Sequence, residues 1–164
     1  MTPADQPEPG GPDSDLPAHP RLASEAELPA IRALVVAAYS RYRDRMDNPP
    51  GPVLADYTDA VKAGRVWVLG DPVMAVLVLD PEQDSMLVEN IAVSPTAQGN
   101  GFGRLLMEFA EQQATASGLR RMTLYTNEVM TENLAIYARL GYRETARRSQ
   151  HGYDRVFMEK DLRG

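Results

Sequence analysis

The sequence predicts an α+β domain, a mixed sheet with helices packed on it. Two observations predict it. Strand-like and helix-like segments alternate along the chain, with no internal repeat. The 164 residues are 43% hydrophobic and 24% charged, which suits one globular domain with a sizeable core.

Residues 1–20 carry six of the thirteen prolines and almost no large apolar side chain. Such a segment buries too little surface to offset its ordering entropy. It is expected to be a disordered, Pro-rich N-terminal tail, with one domain over 21–164. The first helix is expected to begin near Ser24 to Pro29. Ser24 and Glu27 have capping-box spacing, and Pro29 is tolerated only near a helix start. Ile31, Leu34, Val35, Ala38, Tyr39 and Tyr42 then recur at helical spacing. Asn48 to Pro52 reads as a loop, and Val53 to Ala63 as a second helix ended by Gly64.

Val66 to Leu69 and Val73 to Leu79 read as paired strands turning at Gly70-Asp71-Pro72. A turn at Asp80-Pro81 leads to a strand over Met86 to Val93. A helix starting near Arg104 buries Leu105, Leu106, Phe109 and Ala110 and stops at Gly118. Arg121 to Thr126 reads as a strand, and Thr131 to Leu140 as a short helix closed by Gly141. Tyr142 to Arg147 and Arg155 to Glu159 read as strands around a loop at Gln150-His151-Gly152.

Composition excludes several chemistries. The net charge is −6 and the pI about 4.9, which disfavours a general nucleic-acid or anionic-membrane binder. There is no cysteine, so disulfides, thiolate metal sites and a cysteine acyl-enzyme are impossible. Only His19 and His151 are available, and no metal is expected. No apolar run reaches the roughly 18 residues of a membrane helix, and no signal-peptide pattern opens the chain. The expected location is cytoplasmic.

The richest stretch runs from Glu89 to Arg104. An apolar strand enters a turn containing Gly99, Gly101 and Gly103, and a helix follows. Glycines let a ligand approach backbone N–H groups, and the helix start adds unpaired donors and a positive dipole end. Together these make an anion site, most often for phosphate. Gly-x-Gly-x-x-Gly fails by one residue, where Arg104 stands, which argues against a dinucleotide turn. No Gly-Lys-Ser/Thr follows, so a nucleoside-triphosphate loop is also out. Gln-x-x-Gly-x-Gly does fit, from Gln98 to Gly103. In a second constellation, Asn133 and Tyr137 lie four residues apart on one helix face, ahead of Leu140-Gly141-Tyr142. Taken alone, Tyr137 reads as a core aromatic beside Leu134, Ile136 and Leu140.

The Gln98 to Gly103 pattern resembles the acyl-CoA pyrophosphate loop of the GNAT superfamily of N-acyltransferases. Asn-x-x-x-Tyr followed by Leu-Gly-Tyr resembles that family's downstream motif. The two occur in the family's order about thirty residues apart, and the resemblance spans roughly residues 73–160. It implies a mostly antiparallel sheet splayed at the strand Met86 to Val93. The pantetheine arm of acetyl-CoA would pair with the backbone of Ile91, Ala92 and Val93 in that gap. Gln98, Gly99, Asn100, Gly101, Phe102, Gly103 and Arg104 would hold the pyrophosphate, and Asn133 would reach the arm or the loop. Tyr137 would be the general acid for the leaving thiolate, and Glu89, a carboxylate near the splay, the general base. Alternatively, Asn90 and Tyr125, neighbours of Glu89, would position water instead.

Direct transfer of acetyl from acetyl-CoA to a primary amine follows, the acceptor being a small molecule, peptide or protein. A non-catalytic acyl-CoA sensor is the alternative. In proteins of this type the first two helices border the acceptor, which brings in Tyr39, Tyr42, Arg43, Arg45 and Tyr57. Tyr39, Tyr42 and Tyr125 are the candidate acceptor residues. The arginines would suit an amine that also carries a carboxylate or phosphate, or else are an ordinary charged helix surface. A monomer, or a homodimer through the C-terminal strands, is expected.

Overall fold

The computed structural model describes residues 19–162. The proline-rich tail expected over 1–20 lies outside the described residues up to position 18. A seven-stranded sheet is built from β1 (Arg21–Leu22), β2 (Val66–Leu69), β3 (Ala75–Pro81), β4 (Ser85–Val93), β5 (Arg121–Asn127), β6 (Arg143–Gln150) and β7 (Tyr153–Asp161), in the order β1-β2-β3-β4-β5-β7-β6. All neighbours are antiparallel except β4 and β5. A parallel pair needs a crossover, and helix α4 (Phe102–Ala116) supplies it. The expected mixed, mostly antiparallel sheet is thus present.

Helices cover both faces. On one face α1 (Leu28–Tyr39) buries Leu28, Ile31, Leu34 and Val35, and with α3 (Thr58–Lys62) it covers Val66, Val68, Val76 and Val78. On the other face α4 buries Leu106, Met107, Ala110 and Ala114 against Leu77, Val88, Leu124 and Val156. Helix α5 (Thr131–Arg139) adds Tyr137 to that second cluster. No helix among the described residues is long and apolar enough to cross a membrane.

Four expectations need correction, and one strand carried no signal. The turn expected at Asp80-Pro81 lies farther on, because both residues pair within β3–β4, with Leu87 and Met86. The capping-box pair exists, with the Ser24 N–H donating to Glu27 Oε1 at 3.0 Å, but it opens a 3-10 turn, Glu25–Glu27, that leads into α1. The helix expected over Val53 to Ala63 is broken into α2 (Gly51–Leu54) and α3. Asp56 Oδ1 accepts the Thr58 N–H at 3.0 Å and the Thr58 hydroxyl at 2.7 Å. That local bonding competes with continuous helix. Helix α4 begins at Phe102, two residues before Arg104, because Gly101 takes the N-cap position at φ 80°. Strand β1 had no sequence signal; its two residues pair with Trp67 and Val68.

The site is set by two irregularities in β4. Val78 pairs with Asn90 and Leu79 with Val88, so Glu89 is an extra residue, a β-bulge. The bulge resets the alternation. Met86 and Val88 belong to the cluster under α4, as a strict period of two requires, yet farther along Ile91 and Val93 pack there and Ala92 turns to α1. On its other edge β4 pairs with β5 only from Ser85 to Val88. Beyond Val88 the two strands part, while β5 stays paired with β7 to Asn127.

Candidate active site

Where β4 and β5 separate, two cavities open. One, of about 340 Å³, is lined by Glu89, Asn90, Tyr125 and Arg155 and by the loop around Pro50 to Ala55. The other, of about 480 Å³, is lined by Ile91, Ala92, Val93 and the glycine turn. Tyr39, Ile91, Asn133 and Tyr137 line both, so Tyr137 stands where the cavities meet.

The larger cavity is a backbone cradle. Gly99 and Gly101 sit at φ 86° and 80°, a left-handed conformation that glycine adopts without strain. No side chain caps the N-terminus of α4. A helix leaves its first N–H groups without intrahelical acceptors, so those of Phe102, Gly103 and Arg104 are available to an anion. The Phe102 ring is buried in the core, so its contribution here is the amide. Gln98 Nε2 donates to the Val93 carbonyl at 3.3 Å, and Asn100 Nδ2 to the Ala97 carbonyl at 3.0 Å, which fix the turn. Arg104 is exposed and paired with Glu108 at 3.2 Å, one helical turn on. An exposed pair of this kind is weak, so the guanidinium is free to turn to a phosphate. This donor set, with the unpaired edge of β4 beside it, fits the pyrophosphate and amide-bearing arm of acetyl-CoA.

Tyr137 is buried, edge-on to Tyr142 with ring centroids 6.1 Å apart. Burial pushes its hydroxyl up to about 12, with a smaller push from Tyr42. It therefore stays protonated at any ordinary pH. Asn133 donates from Nδ2 to Met130 Sδ at 3.8 Å.

In the smaller cavity the Tyr39 hydroxyl donates to Asn90 Oδ1 at 2.8 Å, Asn90 Nδ2 donates to the Tyr57 oxygen at 3.0 Å, and the Tyr57 hydroxyl donates to the Pro52 carbonyl at 2.6 Å. Burial raises Tyr39 well above the usual phenol value and Tyr57 to about 12. Glu89 faces Arg65 at 3.6 Å and lines the same cavity.

Other expected acceptor residues lie elsewhere. Tyr42 is buried between Arg41 and Arg45, 5.1 and 5.3 Å from its ring centroid, and lines the larger cavity. Arg45 reaches Glu132 with two bonds of 2.7 and 3.0 Å, and Arg41 reaches it at 2.7 Å. They tie the 3-10 segment Ser40–Arg45 to α5, and Arg43 lines neither cavity. Among the described residues, the cation lining the smaller cavity is Arg155, which no sequence motif marks. Its signal was the alternation in β7, where Val156 and Met158 are buried and Arg155 and Phe157 face the other way.

Comparison with known proteins gives the family and the fold. The family model described as "Acetyltransferase (GNAT) domain" matches residues 62–144. An IAA acetyltransferase of Azospirillum brasilense is 33% identical over 88 residues, covering 52% of this chain and 58% of that protein. N-alpha-acetyltransferase 80 of Mus musculus is 46% identical over 65 residues, covering 40% of this chain and 19% of that protein. The chain thus spans less than two thirds of the length of these curated relatives. Among solved structures, the PaiA N-acetyltransferase of Thermoplasma acidophilum in complex with coenzyme A superposes with a TM-score of 0.72 at 12% identity, covering 87% of this chain and 98% of that one. The ribosomal-protein-S18-alanine N-acetyltransferase of Escherichia coli gives a TM-score of 0.69 at 21% identity, covering 88% and 93%. At such identities the structural likeness speaks for the fold.

Proposed function

This chain belongs to the GNAT acetyltransferase family, and from that premise we propose that it transfers the acetyl group of acetyl-CoA directly to a primary amine of a small molecule, peptide or protein. The observation that carries this reading is the position of Tyr137, a buried, protonated phenol at the junction of the two cavities. Acetyl-CoA supplies an activated thioester, and the chain supplies orientation and proton handling.

The first-turn amides of α4 and the glycine turn hold the pyrophosphate, and the free edge of β4 from Ile91 to Val93 holds the arm. The amine enters the smaller cavity. As its nitrogen bonds to the acetyl carbon and the carbon–sulfur bond breaks, the Tyr137 hydroxyl gives its proton to the departing sulfur. Glu89, directly or through a water, takes the proton that the amine loses. The Tyr39–Asn90–Tyr57 chain holds the cavity wall at the bulge in one arrangement. The chain contains no cysteine, so no cysteine acyl-enzyme intervenes.

Release of CoA from acetyl-CoA across a panel of primary amines tests this. Turnover of at least one amine class is expected. Acetyl-CoA binding with no turnover of any amine would favour the non-catalytic sensor instead.

A further inference from the structure

Strands β5 and β7 lie side by side with Tyr125 opposite Phe157 and Asn127 opposite Arg155. Val156, Met158 and Leu124 bury themselves under α4, so Tyr125, Phe157 and Arg155 share the opposite face. Arg148 of β6 pairs across from Arg155 and joins them. The Arg155 guanidinium stacks 4.5 Å above the Tyr125 ring, and that of Arg148 lies 4.0 Å above Phe157. Two like charges directly opposite one another on antiparallel strands repel. Among the described residues neither has a carboxylate in ion-pair reach, whereas Arg41, Arg45 and Arg143 each have one. Arg155 spends one N–H on Gln150 Oε1, at 3.2 Å, and keeps the rest of its fork.

Among the described residues, Arg155 and Glu89 are the two charged ones lining the smaller cavity. One wall therefore offers a carboxylate at the β4 bulge and another a guanidinium fixed by aromatic stacking, a polarity complementary to a molecule with an amine and an acid.

We propose that Arg155 recognises a carboxylate on the acceptor, so that the substrate class of this site is amino-carboxylates rather than plain amines. The proposal rests on the acetyl-transfer reading above. Stacking on Tyr125 holds the fork, and a planar carboxylate takes two parallel N–H bonds from it. A lysine would keep the charge but lose that geometry.

The test is CoA release with matched acceptors, the common amino acids and ω-amino carboxylates against alkylamines of the same length. Wild type, Arg155→Gln and Arg155→Lys are compared, with calorimetric titration of acetyl-CoA and thermal melts on each. Wild type should favour the carboxylated acceptors by about ten- to a hundredfold in kcat/KM. In Arg155→Gln that preference should shrink to within about threefold, and in Arg155→Lys to an intermediate value, with acetyl-CoA affinity and melting temperature near those of wild type. Equal turnover of the two sets by wild type, a preference that survives in Arg155→Gln, or no turnover of either set by protein that binds acetyl-CoA would overturn the assignment. Failure of wild type to bind acetyl-CoA would instead overturn the acetyl-transfer reading beneath it.

Discussion

At the scale of single residues, Tyr137 and Glu89 carry the proposed chemistry, and their surroundings differ. Tyr137 is walled in by Tyr142 and the α4 cluster, and burial holds it protonated. Glu89 is half exposed beside Arg65, where water reaches it. A buried acid and a wetter base at one cavity is the division of labour that direct transfer needs. Tyr137→Phe removes the proton and little else. It should lower kcat by about ten- to a thousand-fold with the KM for acetyl-CoA little changed. Steady-state kinetics check this, and an unchanged kcat removes Tyr137 from the mechanism. The Tyr137 hydroxyl is half ionised only at about 12, so a loss of rate between pH 8 and 10 would have to come from another group.

At the scale of elements, the first helix is held by charge at its entry. Glu27 takes two bonds from Arg21, at 2.9 and 2.7 Å, and one from the Ser24 N–H. Arg21 first, then the Ser24 amide, hold its carboxyl down at about 2 against an ordinary value of 4.5. A depressed carboxylate stabilises the fold fully above its unfolded value and loses that contribution as pH falls through its folded value. Melts of wild type and Glu27→Gln should therefore differ by a constant amount near neutral pH, with the gap closing between about 4.5 and about 2. A gap independent of pH would show that the Arg21 pairing contributes nothing.

Local signals made α1, α4, α5 and the strand pair β2–β3 legible in the sequence, because periodicity and capping chemistry act within one turn. The break at Asp56 was not legible, because a side-chain bond to Thr58 outcompeted an otherwise helical pattern. The bulge at Glu89 was not either, since it depends on register with β3.

At the scale of the whole molecule, the glycine turn and Tyr137 were readable as motifs, whereas the proposed acceptor cavity was not. Its walls come from the α1–α3 region, the bulge of β4, the end of β5 and β7, far apart in the chain. Arg43 and Arg45, near the first helix, read either as acceptor residues or as an ordinary charged helix surface, and Glu132 of α5 holds Arg45 at 2.7 Å. Arg155 looked like an ordinary strand residue, yet its pairing with Asn127 puts it in the cavity. The splay of β4 from β5 makes both cavities and opens the sheet to a ligand's backbone-like arm. We propose that this opening, ending on the uncapped N-terminus of α4, is an acetyl-CoA site.

The most direct test is calorimetric titration of acetyl-CoA into wild type, Gly101→Ala and Gly101→Glu. Gly101 sits at φ 80°, so both substitutions carry the same backbone strain, and only glutamate adds bulk and charge at the loop. Wild type should bind in the micromolar range, Gly101→Ala more weakly, and Gly101→Glu not at all. No binding by wild type, or equal binding by the alanine and glutamate variants, would show that this opening is not an acetyl-CoA site.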